Sequence, residues 1–85
     1  MPKSIRSEGL LALGQAIIRI REAQGMSQRD FAAKIGYRQS FVSKLELGLR
    51  RIDVVELIVL SRAAGVPASE LLAAVEKATP LDQRI

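Results

Sequence analysis

The stretch MSQRDFAAKIGYRQSFVSKLELGL, Met26 to Leu49, decides the fold. It reads as two short helices joined by a tight turn. Ser27 is placed to cap the first helix, with its hydroxyl accepting a free amide hydrogen. Asp30, three residues on, completes a capping-box spacing and puts a negative charge in the first turn. Phe31, Ala32 and Ile35 are spaced to face inward. Gly36 stands where a helix ends in a left-handed residue, and Tyr37 and Arg38 complete the turn. The second helix is expected to bury only a narrow stripe, Val42 and Leu45, and to stop at Gly48. Its other face carries Arg38, Gln39, Ser40, Ser43 and Lys44, hydrogen-bonding groups with few acidic neighbours. That layout is a helix-turn-helix, and such a face suits the major groove of DNA.

The flanking chain supplies helices to pack against this pair. Leu10, Leu13, Ile17 and Ile20 recur at helical spacing, which predicts a first helix from about Glu8 to Gln24 ended by Gly25. Residues 1 to 7 read as a flexible tail, with Lys3 and Arg6 able to lie along a phosphate backbone. Leu47 to Asp53 reads as a loop carrying Arg50 and Arg51, well placed to touch the phosphates beside a groove-reading helix. Asp53 is an expected cap for a fourth helix ending near Ala64, with Val54, Leu57, Ile58 and Leu60 as core candidates. A fifth helix is expected from Pro67 to near Lys77, carrying Leu71, Leu72 and Val75. Thr79-Pro80 ends it, and residues 79 to 85 read as a C-terminal tail. The sequence therefore predicts an all-α, compact five-helix domain over residues 8 to 78, with no internal repeat and no second domain.

Composition narrows the function. Of 85 residues, 48% are apolar but only 4% aromatic, so the core must be built from Leu, Ile, Val and Ala, which favours helix on helix. There is no Cys and no His, which removes disulfides, zinc-thiolate sites, and the commonest general base and metal ligand. No cluster of acids or glycine-rich phosphate loop takes their place. An enzyme is not expected, nor a metal site, a cofactor or a small-molecule ligand. No apolar run approaches the length of a membrane span, and the start lacks the apolar stretch of a signal peptide, so the expected location is the cytoplasm. Charge is divided unevenly. Residues 1 to 51 carry ten Lys/Arg against four Asp/Glu, a net +6, whereas residues 52 to 85 carry three against five, a net −2. The positive half holds the helix-turn-helix, as a polyanion partner would require.

From Leu13 to Leu72 the chain resembles the Cro/C1-type (XRE-family) helix-turn-helix domain of phage repressors and small bacterial regulators. The resemblance rests on LGQAIIRIREAQGMSQ (13–28), DFAAKIGYRQSFVSKLELG (30–48) and VVELIVLSRAAGVPASELL (54–72), in the family's order and spacing. It implies a lambda-repressor-like fold whose third helix enters the major groove of double-stranded DNA. It implies that Gln28 binds a phosphate and braces Gln39, and that Gln39 and Ser40 read base edges. Lys44, one turn further on, would also face bases. Arg21 and Glu46 would form a buried salt bridge between helices 1 and 3. Two departures stand out. Arg38 occupies a position usually held by a small capping residue, which weakens the cap and sets a long cation at the groove edge. Leu47 stands where Asn or Arg is common, so no phosphate role is assigned to it.

These readings give Arg38, Gln39, Ser40 and Lys44 as base readers. Gln28, Ser43, Arg50 and Arg51 are the phosphate contacts. The expected product is a sequence-specific transcriptional regulator, a repressor acting as a homodimer. Three surfaces compete for the dimer contact: helix 5 with Leu71 and Leu72, the Val55/Val59 strip, and the Leu11/Ile18 strip. Ile18 and Val59 replace usually polar residues, the main sign of an apolar interface. The alternative is a protein-interaction module, such as an antitoxin, using the same apolar surface to bind a toxin or another regulatory protein.

Overall fold

The computed structural model describes residues 7–85, so the expectations for Lys3, Arg6 and the rest of residues 1–6 lie outside the described residues. Five helices follow in order: α1 (Glu8–Ala23), α2 (Gln28–Ile35), α3 (Gln39–Glu46), α4 (Val54–Ala64) and α5 (Ala68–Ala78). No strand occurs among the described residues.

The ends of the helices are set by short-range hydrogen bonds. Ser7, expected to close the tail, instead caps α1 by accepting the Leu10 amide at 3.1 Å. Ser27 and Asp30 form the capping box that their spacing predicts, with both bonds at 3.0 Å. The Ser27 backbone amide, donating to Asp30, holds that carboxyl below its ordinary value, and the Ser27 hydroxyl adds to the effect. Asp53 and Glu56 form a second capping box at the start of α4. Pro67 is the cap of α5 rather than its first residue, one position from the expected start. Gly36 ends α2 at φ 68°, a left-handed turn that swings the chain back toward α3.

One core holds the helices together. Leu13 and Ile17 of α1, Phe31 of α2, Val42 and Leu45 of α3, Leu60 of α4 and Leu71 of α5 are its fully buried side chains. α1 is the central element, packing most extensively against α5 and α3. Its far end is tied to α4 by Gln24, whose Nε2 donates to the Ala64 carbonyl at 2.8 Å.

Three expectations change. α3 buries Phe41 and Glu46 as well as Val42 and Leu45, so its inward face is broader than a stripe. Val54, expected in the core, is 76% exposed, because it is the first residue of α4 and sits at the rim of an open cleft shared with Leu10 and Leu13 of α1 and Leu72 of α5. Leu71, expected at a dimer surface, is 1% exposed and part of the core, since it is the residue through which α5 docks.

Gly14 explains how closely α1 meets α3. A Cβ there would lie 2.5 Å from the Leu45 carbonyl oxygen and 2.7 Å from that of Glu46. The obstacle is backbone at the end of a helix, so it has little room to yield. Gly14→Ala is therefore expected to lower stability by about 1–3 kcal/mol, read from the midpoint of urea unfolding. An unchanged midpoint would mean that the contact is looser than the geometry requires.

Candidate nucleic-acid interface

Four side chains form a hydrogen-bonded relay running from α1 to the start of α3. Arg21 Nε donates to Glu46 Oε2 at 2.6 Å, and its Nη2 donates to Oε1 at 3.0 Å, the paired geometry of a guanidinium on a carboxylate. The third donor, Nη1, takes the Met26 carbonyl at 3.1 Å, which fixes the chain leaving α1. Gln28 Nε2 then donates to Glu46 Oε1 at 2.8 Å, and Gln39 Nε2 donates to Gln28 Oε1 at 2.8 Å. Glu46 is 5% exposed, and its side chain is satisfied entirely by these groups. The hydrogen bond to Glu46 raises the Arg21 guanidinium above its already high value.

The direction of the relay follows from chemistry. An ionised carboxylate only accepts, so Gln28 must present its NH2 to Glu46 and its carbonyl oxygen to Gln39. Gln39 must in turn spend one amide hydrogen on Gln28. What remains at the exposed edge of Gln39 is its Oε1 and one N–H.

Around that edge, Arg38, Gln39, Ser40 and Lys44 are all exposed, and Ser43 is half-buried on the flank. Arg38 has no side-chain cap bond, so the first turn of α3 is left without the side-chain acceptor that Ser27 and Asp53 give α2 and α4. The two loop arginines differ. Arg51 is exposed. Arg50 is engaged with the protein. Its Nη2 pairs with Glu56 at 3.0 Å, its Nη1 donates to the Arg51 carbonyl, and its guanidinium lies 5.1 Å from the centre of the Phe41 ring. Of the two arginines expected at phosphates, Arg50 thus has partners within the protein.

The apolar surface candidates also separate. Val55 is 71% exposed, Leu72 54% and Val59 40%. Leu11 and Ile18 are half-buried, and the Gly48 backbone approaches Leu11 closely. Among the described residues, no single helix is long and apolar enough to cross a membrane.

Sequence reasoning brought together Arg21 with Glu46 and Gln28 with Gln39. It missed the Gln28–Glu46 bond that joins the two pairs, and Glu56 as the partner of Arg50. Phe41 was missed too, although its spacing of four from Leu45 is a helical core signal.

Comparison with known proteins agrees with this geometry. The model of a helix-turn-helix family matches residues 17–71. An uncharacterized HTH-type transcriptional regulator, y4dJ of Sinorhizobium fredii, is 34% identical over 71 residues, 84% of each chain. Among solved structures, an XRE-family like protein from Pseudomonas syringae pv. tomato superposes with a TM-score of 0.69 at 39% identity, covering 85% of this chain and 88% of that one. The restriction-modification controller protein C.AhdI from Aeromonas hydrophila gives 0.69 at 32% identity, covering 73% of this chain and 94% of that one.

Removing the shared acceptor should be costly. Glu46→Ala strands Arg21 with its charge nearly buried and is expected to destabilise the fold by about 3–5 kcal/mol. Chemical unfolding followed by circular dichroism measures this, and a loss below about 1 kcal/mol would show the ion pair to be dispensable.

Proposed function

The chain belongs to the Cro/C1-type (XRE-family) helix-turn-helix family of DNA-binding transcriptional regulators, and from that premise we propose that it is a sequence-specific repressor acting as a homodimer on an inverted-repeat operator. The family is one of regulators rather than enzymes. The observation that carries the proposal is the relay ending at Gln39. A base-reading side chain held by its neighbours loses less freedom on binding than a loose one. The free Oε1 and N–H of Gln39 match the N6 donor and N7 acceptor of adenine.

In this reading α3 lies in the major groove, with Gln39 and Ser40 on base edges at its start. Lys44 reaches a guanine or a phosphate one turn further along, and Arg38 lies at the groove edge. Gln28 has one amide hydrogen left for a phosphate oxygen at the start of α2. Ser43 and Arg51 meet the flanking backbone. Arg50 contributes charge there while holding the loop in shape through Glu56 and Phe41.

The second copy docks on the outer face of α4 around Val55 and Val59. The two recognition helices would then sit about one helical turn, roughly 34 Å, apart. Control by concentration follows naturally, because dimerisation sets how much of the protein can span both half-sites. Of the roles open to such a domain, control of a restriction–modification system has support in the similarity to C.AhdI.

The same exposed valines favour a second reading, in which they bind a toxin or another regulator. Selection of binding sites from a random DNA pool separates the two. Enrichment of an inverted repeat with half-sites about ten base pairs apart supports the dimeric repressor. Salt-sensitive binding that enriches nothing would sink it and favour the interaction module.

Two further outcomes are expected. Gln39→Ala should cost about 1–3 kcal/mol and relax preference at one base pair, whereas Arg51→Ala should weaken all sequences alike and lower the salt slope by about one unit. Identical behaviour of the two variants would undo the division into base reader and phosphate contact. Val55→Asp with Val59→Asp should leave a folded monomer in sedimentation analysis. A dimer that survives both changes would move the interface elsewhere.

A further inference from the structure

Tyr37 is 52% exposed in the turn between α2 and α3, and none of the roles above falls to it. Its ring is held in place. It stacks on Phe41 with ring centroids 4.6 Å apart and planes 21° apart. Phe41 is buried in α3 and also receives the Arg50 guanidinium, which Glu56 anchors. An exposed aromatic side chain is thus fixed by a chain of contacts reaching from the turn to α4.

Beside it lies an open cleft of about 350 Å³, lined by Tyr37, Arg38, Ser40, Phe41, Lys44 and Arg50. Three of these six are cations and none is an acid. Glu56 offsets only Arg50, which leaves Arg38 and Lys44 uncompensated. The walls therefore combine positive charge, hydroxyls and an aromatic face. A polyanion with apolar rings between its charges fits that chemistry better than a small free anion, which such an open cleft would hold weakly. Three of its walls, Arg38, Ser40 and Lys44, are also expected base readers, so a strand lying in the groove must pass this opening.

We propose that the cleft seats one sugar-phosphate unit of the bound duplex, and that Tyr37 is a DNA-contact residue. Its ring packs against the deoxyribose and its hydroxyl donates to a phosphate oxygen, while Arg38 and Lys44 neutralise the charge. A phenol suits both contacts, having an apolar body and a polar tip. The contact carries no sequence information, so it adds affinity to every duplex. The proposal rests on the DNA-binding reading.

The test uses the full chain, the duplex recovered by selection and a scrambled duplex. Tyr37→Phe keeps the stack and removes only the hydroxyl. It should weaken binding to both duplexes by about tenfold, the size of a lost hydrogen bond to a charged group, with their ratio unchanged. Tyr37→Ala should weaken both further. Tyr37 is the sole tyrosine, so its ring resonances in NMR are assigned without ambiguity and should shift as the duplex saturates the protein. Wild-type affinity of Tyr37→Phe, together with unmoved ring signals at saturation, would overturn the proposal while leaving the DNA-binding reading intact. Equal saturation of the ring shift by inorganic phosphate would overturn the duplex as occupant. Failure of the wild type to bind either duplex would overturn both readings together.

Discussion

Glu46 is the constraint on which the rest depends. A carboxylate that is 5% exposed must be paired, and here it is paired three ways, twice by Arg21 and once by Gln28. Through those bonds one residue at the end of α3 ties down the end of α1, the exit to α2 and the start of α2. Because it can only accept, it also sets the orientation of two glutamine amides in series. The closeness of α1 and α3 at Gly14 belongs to the same arrangement, since the carbonyls that crowd that glycine are those of Leu45 and Glu46. Fold and candidate reading surface are thus joined at one group.

The domain is too small to rely on core volume alone, and its helices are short. α2 and α3 have eight residues each, below the length at which a helix is stable in isolation. Capping boxes at α2 and α4 and the relay on α3 make up for that length. α3 is the exception at its start, where Arg38 offers no acceptor. It is held there by what lies on either side, Phe41 in the core and Gln39 on Gln28.

Much of this was legible in the sequence, for a local reason. Capping residues, terminating glycines and the 3.6-residue period act over a turn or two, so Ser27, Asp30, Gly36, Asp53 and the five helices could be read from spacing. The Arg21–Glu46 and Gln28–Gln39 pairs came from resemblance rather than from spacing, because they join residues 25 and 11 positions apart. What escaped depends on three-dimensional approach. Gly14 looks like any helix glycine until another backbone is brought against it. Glu56 looks like a first-turn acid until Arg50 folds over to meet it. Leu71 was assigned to the wrong side for a related reason. Both α4 and α5 are apolar over more than one face, so periodicity alone leaves their rotation open.

The relay also divides the outward face of α3 into two kinds of position. Gln39 is bonded into the protein, whereas the side chains of Ser40 and Lys44 make no hydrogen bond among the described residues. On the proposed reading, substitution at 40 or 44 would leave the folding energy nearly untouched, and base preference would drift there one neutral step at a time. A change at 39 breaks the relay and, on the same reading, would alter stability and preference together. Lineages descending from such a domain would diversify their target sites outward from a fixed first contact. The residue at 39 would be the slowest to change, held by its neighbours as much as by the DNA.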